Sequence, residues 1–260
     1  MSNKLALVTG ATSGIGKAFA EGLAADGHDL VIVGRREERL QEFADTHPEV
    51  DVHIVAADLS TGDGVRAVTE IAASRPLTHL INNAGVAHYM PLAELSVEQA
   101  TELVHIKNVA PMLLTHAALP GMLERGEGTI INIAGMIAFS GPAPASVMPR
   151  RAIYGGGLAN SVAFTQLLAA ELEDTPVRVQ VVCPGVVATE FHEVQGMDLS
   201  SVPRMTAEDV VTACLRGLEL GETVTAPGVE DASLLDAVFA ADLAAFGAQS
   251  PELASRYRSA

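Results

Sequence analysis

The chain has 260 residues, 48% of them hydrophobic but only 4% aromatic, with no Trp. Such a composition calls for a core of Ala, Val, Leu and Ile, which suits buried parallel strands under Ala-rich helices in a single domain. Acidic residues outnumber basic ones 32 to 16, giving a formal charge of -16; that field repels phosphate backbones and anionic lipid, and it excludes nucleic acid and membrane surfaces as partners.

In chain order, apolar runs that read as buried strands recur: LALVT at 5–9, LVIVG at 30–34, VHIVAA at 52–57, LTHLIN at 77–82, GTIINIA at 128–134 and VRVQVVC at 177–183. A short run at 224–226 makes a seventh. Helical patterns fill the intervals at 17–26, 37–46, 64–74, 96–123, 158–172 and 207–220, and a last one follows at 234–246. Ser96 with Gln99 has capping-box spacing, and Thr206 with Asp209 approximates it. Strand–helix alternation of this kind predicts a parallel, doubly wound α/β sheet of about seven strands flanked by helices. No repeat or linker interrupts it, so 1–260 reads as one domain.

The first strand begins almost at Met1, which leaves no room for a signal peptide. The uncharged stretch 129–148 contains Asn132, Gly135, Ser140, Pro142 and Pro144, which break any spanning helix. Cys183 and Cys214 have no metal spacing and read as small core residues, in keeping with a reducing cytoplasm. No histidine–carboxylate cluster has ligand spacing, so no metal is expected.

The most informative segment is Thr9-Gly10-Ala11-Thr12-Ser13-Gly14-Ile15-Gly16, directly after the first strand and opening a helix. Gly10 permits the tight turn, Gly14 lets the backbone approach a diphosphate, and Gly16 allows close helix–sheet packing; the helix amides then face the phosphates. This is a Rossmann-type dinucleotide site. The second strand ends Gly34-Arg35-Arg36. A carboxylate there would bond a bare ribose 2′-hydroxyl, whereas Arg35 and Arg36 offer planar donors to a 2′-phosphate and Gly34 leaves space, so NADP(H) is the expected cofactor.

Together with Asp58-Leu59, Asn82-Asn83-Ala84-Gly85, Asn108, Tyr154 and Pro184-Gly185-Val186-Val187-Ala188-Thr189, this segment resembles the short-chain dehydrogenase/reductase family, in motif order and spacing from residue 4 to about 190. The resemblance implies that Thr12, Ser13 and Ile15 lie along the phosphates and ribose, and that Asp58 accepts from the adenine amino group beside Leu59. It implies that Asn83, Ala84 and Gly85 line the adenosine ribose and hold the central strand. Pro184, Gly185, Val187 and Thr189 would flank the nicotinamide, with a substrate loop near 188–205. It further implies a homodimer or homotetramer.

In that family a tyrosine passes its proton to the substrate oxygen, a serine bonds the same oxygen, a lysine four residues after the tyrosine lowers its pKa, and an asparagine holds a water behind the lysine. Free tyrosine titrates near pH ~10, so the cation matters. This chain keeps Tyr154 and Asn108 as catalytic candidates. Leu158 stands at the lysine position, and Ala134-Gly135 replaces the serine pair.

The chain has three lysines, Lys4, Lys17 and Lys107. On an ideal α-helix Lys107 points about 100° away from Asn108, which makes it a poor substitute. Arg150 and Arg151 either supply positive charge to Tyr154 from the loop or reach the surface or the cofactor rim. Ser140 or Ser146, between the lost serine and Tyr154 in a segment about six residues longer than the family norm, are the candidates to lean in for the serine. Gly155-Gly156-Gly157 cost a helix about 1 kcal/mol each relative to alanine; either something approaches closely there or the helix starts late, at Leu158. His88 and His192 fall near the expected substrate mouth. Met136, Ile137, Phe139, Met148, Phe191 and Met197 point to an apolar ligand. Three functions fit these features: an NADPH-dependent reductase of an apolar carbonyl, iminium or conjugated substrate; a non-redox dehydratase, isomerase or cyclase; and a cofactor-binding regulator.

Overall fold

The computed structural model describes residues 4–258 except 142, 145 and 147. Pro142, one of the prolines that argue against a membrane helix, lies outside the described residues. The chain divides into two compact units, Met1–Pro227 and Gly228–Ala260.

The first unit alternates β1 (Leu5–Thr9), α1 (Gly14–Ala25), β2 (Asp29–Gly34), α2 (Glu37–Thr46), β3 (Val52–Ala56), α3 (Gly62–Ser74), β4 (His79–Asn82), α4 (Val97–Val104), α5 (Ala110–Arg125), β5 (Gly128–Ile133), α6 (Ala152–Glu171), β6 (Val177–Val182), α7 (Phe191–Val194), α8 (Ala207–Leu220) and β7 (Val224–Thr225). All seven strands pair in parallel in the order β3-β2-β1-β4-β5-β6-β7. Winding reverses between β1 and β4, where α/β sheets open a crevice at the carboxyl ends of their strands.

Residues of β1 and β5 are buried without exception, as strands covered on both faces require. The period of two sends neighbours to opposite layers. Ala6 and Val8 pack with Phe19 and Leu23 of α1, Leu40 of α2 and Val210 of α8. Leu5 and Leu7 pack instead with Val68 of α3, Leu114 and Met122 of α5 and Leu168 of α6. Each fully buried side chain of this size stabilises by about 1.5–3 kcal/mol. Cys183 and Cys214 are free thiols inside these layers.

Two helices differ from expectation. The pattern at 96–123 is interrupted by a π-turn, His105–Val109, where Ala110 N bonds His105 O five residues back. Pro111 supplies the reason: it has no N–H for the Lys107 carbonyl, and its ring clashes with that carbonyl in a regular helix. Ser161 Oγ of α6 donates to the displaced oxygen at 3.3 Å. The other departure is α6, which starts at Ala152 and carries all three glycines inside it. Bare Gly157 lets the π-turn approach, and a Cβ there would stand 3.3 Å from Asn108 Oδ1 and 3.5 Å from Lys107 Cβ.

The second unit holds α9 (Ser233–Gly247) and a single 3-10 turn at Ser255–Tyr257. Among the described residues no helix is long and apolar enough to cross a membrane.

Candidate functional site

The crevice at the switch of strand order is a cleft of about 960 Å³. Its floor is the turn between β1 and α1. Gly10 has φ +69°, a left-handed conformation that side chains disfavour. Gly16 sits so tightly on Gly10 O and Asn83 Nδ2 that any Cβ would collide with them. Ser13, the N-cap of α1, makes no side-chain bond to the first-turn amides. Those donors are therefore left for an anion, as a diphosphate requires.

Nearly every residue expected at the cofactor lines this cleft: Gly10, Thr12, Ser13, Gly14 and Ile15 in the turn, Arg35, Arg36, Asp58 and Leu59 at the β2–β3 end, and Asn83, Ala84 and Gly85 after β4. Pro184, Gly185, Val187 and Thr189 line it after β6. Gly16 packs behind the wall. Asn83 donates from Nδ2 to Thr9 O at 3.0 Å, tying β4 to β1. One oxygen of Asp58 accepts from Ser60 N and Oγ, which fixes the carboxylate at the end of β3.

The two arginines are unequal. Arg36 donates to Thr12 Oγ1 at 2.8 Å and Ser13 Oγ at 3.0 Å, placing its guanidinium directly over the turn, while Arg35 is more exposed and lies 3.9 Å from Glu102. Gly34 is tight against Thr12, whose Cγ2 would stand 2.8 Å from a Cβ there. Glu190, which the sequence reading passed over, reaches across the cleft to Arg36 and to Arg39 at 3.0 Å. Burial opposes its charge, but hydrogen bonds from Arg39, Arg36 and Ser13 prevail and hold its carboxyl at about 2. Its position directly after Thr189 was the available signal.

At the other end stands Tyr154 on α6, 8% exposed. Tyr89, a second residue missed from sequence, meets it edge to face with ring centroids 5.2 Å apart. Burial first, and then Tyr89, push the Tyr154 hydroxyl well above the usual phenol range. Gly135 and Leu158 line the same end, so neither a hydroxyl nor an amine occupies those two positions.

Asn108 does not line the cleft. Its Nδ2 donates to Gly157 O at 2.9 Å and Asn160 Oδ1 at 2.7 Å, fastening the π-turn to α6. The π-turn brings Lys107 to the cleft instead, reversing the expectation drawn from α-helical geometry. Lys107 is 7% exposed, and burial lowers its amine to about 8.

Several other candidates are tied down elsewhere. Ser140 lines the cleft, but its hydroxyl donates to Ile137 O and accepts from Arg151 Nε at 2.9 Å. Arg151 also donates to Ser140 O and Pro149 O, clasping that loop to the start of α6. Arg150 and Ser146 are exposed. His88 pairs with Glu102 at 3.0 Å and does not line the cleft. His192 does, with its pKa lowered by burial and by Arg204.

Met136, Ile137, Met148, Phe191, Met197 and Leu199 form an apolar chamber beyond Tyr154, whereas Phe139 packs into the core beside it. The loop carrying Phe191 and Met197 is pinched at its neck, where Ala188 N bonds Met205 O at 2.8 Å and Met205 N bonds Val186 O at 3.0 Å. Among the described residues no group of three His, Cys, Asp or Glu side chains is placed to hold a metal.

Comparison with known proteins agrees with this geometry. The short chain dehydrogenase family model matches residues 4–199. An NADP-dependent 3-hydroxy acid dehydrogenase of Salmonella typhi is 34% identical over 224 residues, covering 80% of this chain and 86% of that protein. Among solved structures, a short-chain dehydrogenase from Sphingobium yanoikuyae in complex with NADPH superposes with a TM-score of 0.92 at 32% identity, over 98% of this chain and 100% of that one. A bulky-bulky ketone specific alcohol dehydrogenase from Comamonas testosteroni gives 0.88 at 27% identity, over the whole of both chains. The chain belongs to the short chain dehydrogenase family.

Proposed function

We propose that this protein is an NADP(H)-dependent oxidoreductase that reduces an apolar carbonyl, iminium or conjugated substrate. The observation that carries the reading is continuity: a diphosphate-type turn crowned by Arg36 leads, within one cleft, to a phenol pair facing an apolar chamber. NADP(H) is the cofactor, and when bound it supplies or accepts the hydride.

The chain's own residues do the rest. The first-turn amides of α1 hold the diphosphate, and Arg36, with Thr12 and Ser13 beneath it, selects the 2′-phosphate. Tyr154 gives its proton to the substrate oxygen, and Tyr89, packed edge to face on it, orients that phenol in place of the serine missing at Gly135. The apolar chamber excludes water and seats the substrate. An iminium asks least of the acid, because hydride neutralises its charge to give an amine and no oxyanion forms, and a conjugated acceptor spreads the arriving charge over an enolate. The name of the Comamonas relative, specific for bulky-bulky ketones, supports a ketone among these substrates, and the family supports a homodimer or homotetramer.

The bare positions at Gly135 and Leu158 favour a second reading, a non-redox dehydratase or isomerase on this scaffold. Following reduced-nicotinamide absorbance against a panel of apolar ketones, imines and enones separates the two. Nicotinamide oxidation in step with product supports the oxidoreductase; product without nicotinamide oxidation supports the alternative.

A further inference from the structure

The family's lysine position is filled by Leu158, yet a buried cation stands in the cleft. We propose that Lys107 is the cation of this active centre, entering from the π-turn beside Gly85 to face a ribose of the dinucleotide. The inference rests on the cofactor reading above and adds to it a residue and a route.

Three observations carry it. Pro111 leaves the Lys107 carbonyl without a helical partner and Ser161 Oγ takes it up, so the turn that orients Lys107 is built into the sequence. The stem of Lys107 crosses α6 at Gly157, three residues past Tyr154 and next to the position where a family lysine would start. Its ammonium lies against Gly85, where any Cβ would collide with Nζ and Cε. Gly85 leaves room for the amine where it stands, and the stem passes Gly157 in van der Waals contact.

Among the described residues the ammonium makes no ion pair or hydrogen bond of its own. A buried charge without a partner is costly, and its pKa falls in response. Ribose hydroxyls at that place would accept from it, and the nearby diphosphate would favour its charged form. Around it, Tyr154 and Tyr89 share the α6 end of the cleft, Asp58, Arg35 and Arg36 the β2–β3 end, and Glu190 and His192 the loop after β6. Lys107 is the cleft's only amine among the described residues.

Competitive acetylation of the intact protein, read by mass spectrometry, tests this without turnover. Lys107 should titrate near 8 in the free protein, with exposed Lys17 as the internal reference. Saturating NADPH should protect Lys107 at least tenfold, raise its titration and leave Lys17 unchanged. Lys107→Met should weaken NADPH binding about tenfold by calorimetry, with Lys107→Arg in between. The double variant Lys107→Met/Leu158→Lys, which moves the amine to α6, should recover most of that loss. If NADPH binds but Lys107 stays unprotected, or Lys107→Met binds as tightly as the parent, the proposal is overturned while the cofactor reading stands. If no dinucleotide binds the parent protein, both fall.

Discussion

The ring of Tyr154 meets the ring of Tyr89 edge to face, their centroids 5.2 Å apart. In a chain with no hydroxyl at residue 135, Tyr89 is the group placed to aim the proton of Tyr154. Tyr154→Phe should cut NADPH-dependent turnover by about 10²–10⁴-fold, the range for a lost general acid, with NADPH affinity unchanged. Tyr89→Phe should lower kcat about tenfold. It also removes a neighbouring phenol that pushes the Tyr154 hydroxyl upward, so the alkaline limb of kcat should move to lower pH. Steady-state pH profiles of both variants check this, and an unchanged profile in Tyr89→Phe would separate the two phenols functionally.

Restoring the missing serine should help. Gly135 has φ 170°, extended backbone that any residue adopts, and a Cβ there would meet Pro184 O at 3.5 Å and Leu158 Cδ1 at 3.6 Å, which is ordinary contact. Gly135→Ser should fold normally, leave NADPH binding unchanged and raise kcat severalfold on ketones, where charge on oxygen is greatest. Comparing kcat on ketone and iminium substrates is the check; a fall on both would mean that the pocket shape needs the glycine.

Arg36 is the residue expected to distinguish the two nicotinamide dinucleotides. Arg36→Ala removes charge-assisted hydrogen bonds worth about 1.5–3 kcal/mol, so the Kd for NADPH should rise about 10–100-fold while that for NADH barely moves. Glu190 competes for the same guanidinium, and with its carboxyl held at about 2 it stays charged at any working pH. Glu190→Gln should therefore tighten NADPH binding severalfold. Titration calorimetry with both dinucleotides reads all four quantities.

Much of this architecture was legible in the sequence, and the reasons are local. Uninterrupted apolar runs mark strands buried on both faces, so each of the seven was placed within two residues of its ends. The glycine turn was equally clear, because Gly10 and Gly16 answer to backbone geometry that no other residue satisfies. What escaped depended on contacts between distant segments. Tyr89 became visible only when α6 set Tyr154 beside it, and Glu190 only when the loop after β6 folded over Arg36. The π-turn lay between these cases. Pro111 stands four residues after Lys107 and gave a local reason for the break, yet the 96–123 pattern read as one regular helix, which turned Lys107 the wrong way. The glycines at 155–157 were read as a close approach or a late start; the helix runs through them, and the approach is that of the π-turn at Gly157.

Away from the cleft, His28 and His79 meet edge to face at 4.9 Å. Burial, and then His28, lowers His79 to about 4 from an unfolded value near 6.5. The folded state therefore binds fewer protons than the unfolded chain between these values. Stability is complete above pH 6.5 and should decline as pH falls toward 4, by up to about 3 kcal/mol. Urea melts from pH 7.5 to 4.5 should show the decline, and His79→Gln should flatten it.

The central claim is that the β1–α1 turn and Arg36 together hold a phosphorylated nicotinamide dinucleotide. Titration calorimetry of the parent protein with NADPH and with NADH tests it most directly. The account predicts saturable one-site binding of NADPH, at least tenfold tighter than that of NADH. Absence of binding by either dinucleotide, or equal affinity for both, would contradict it.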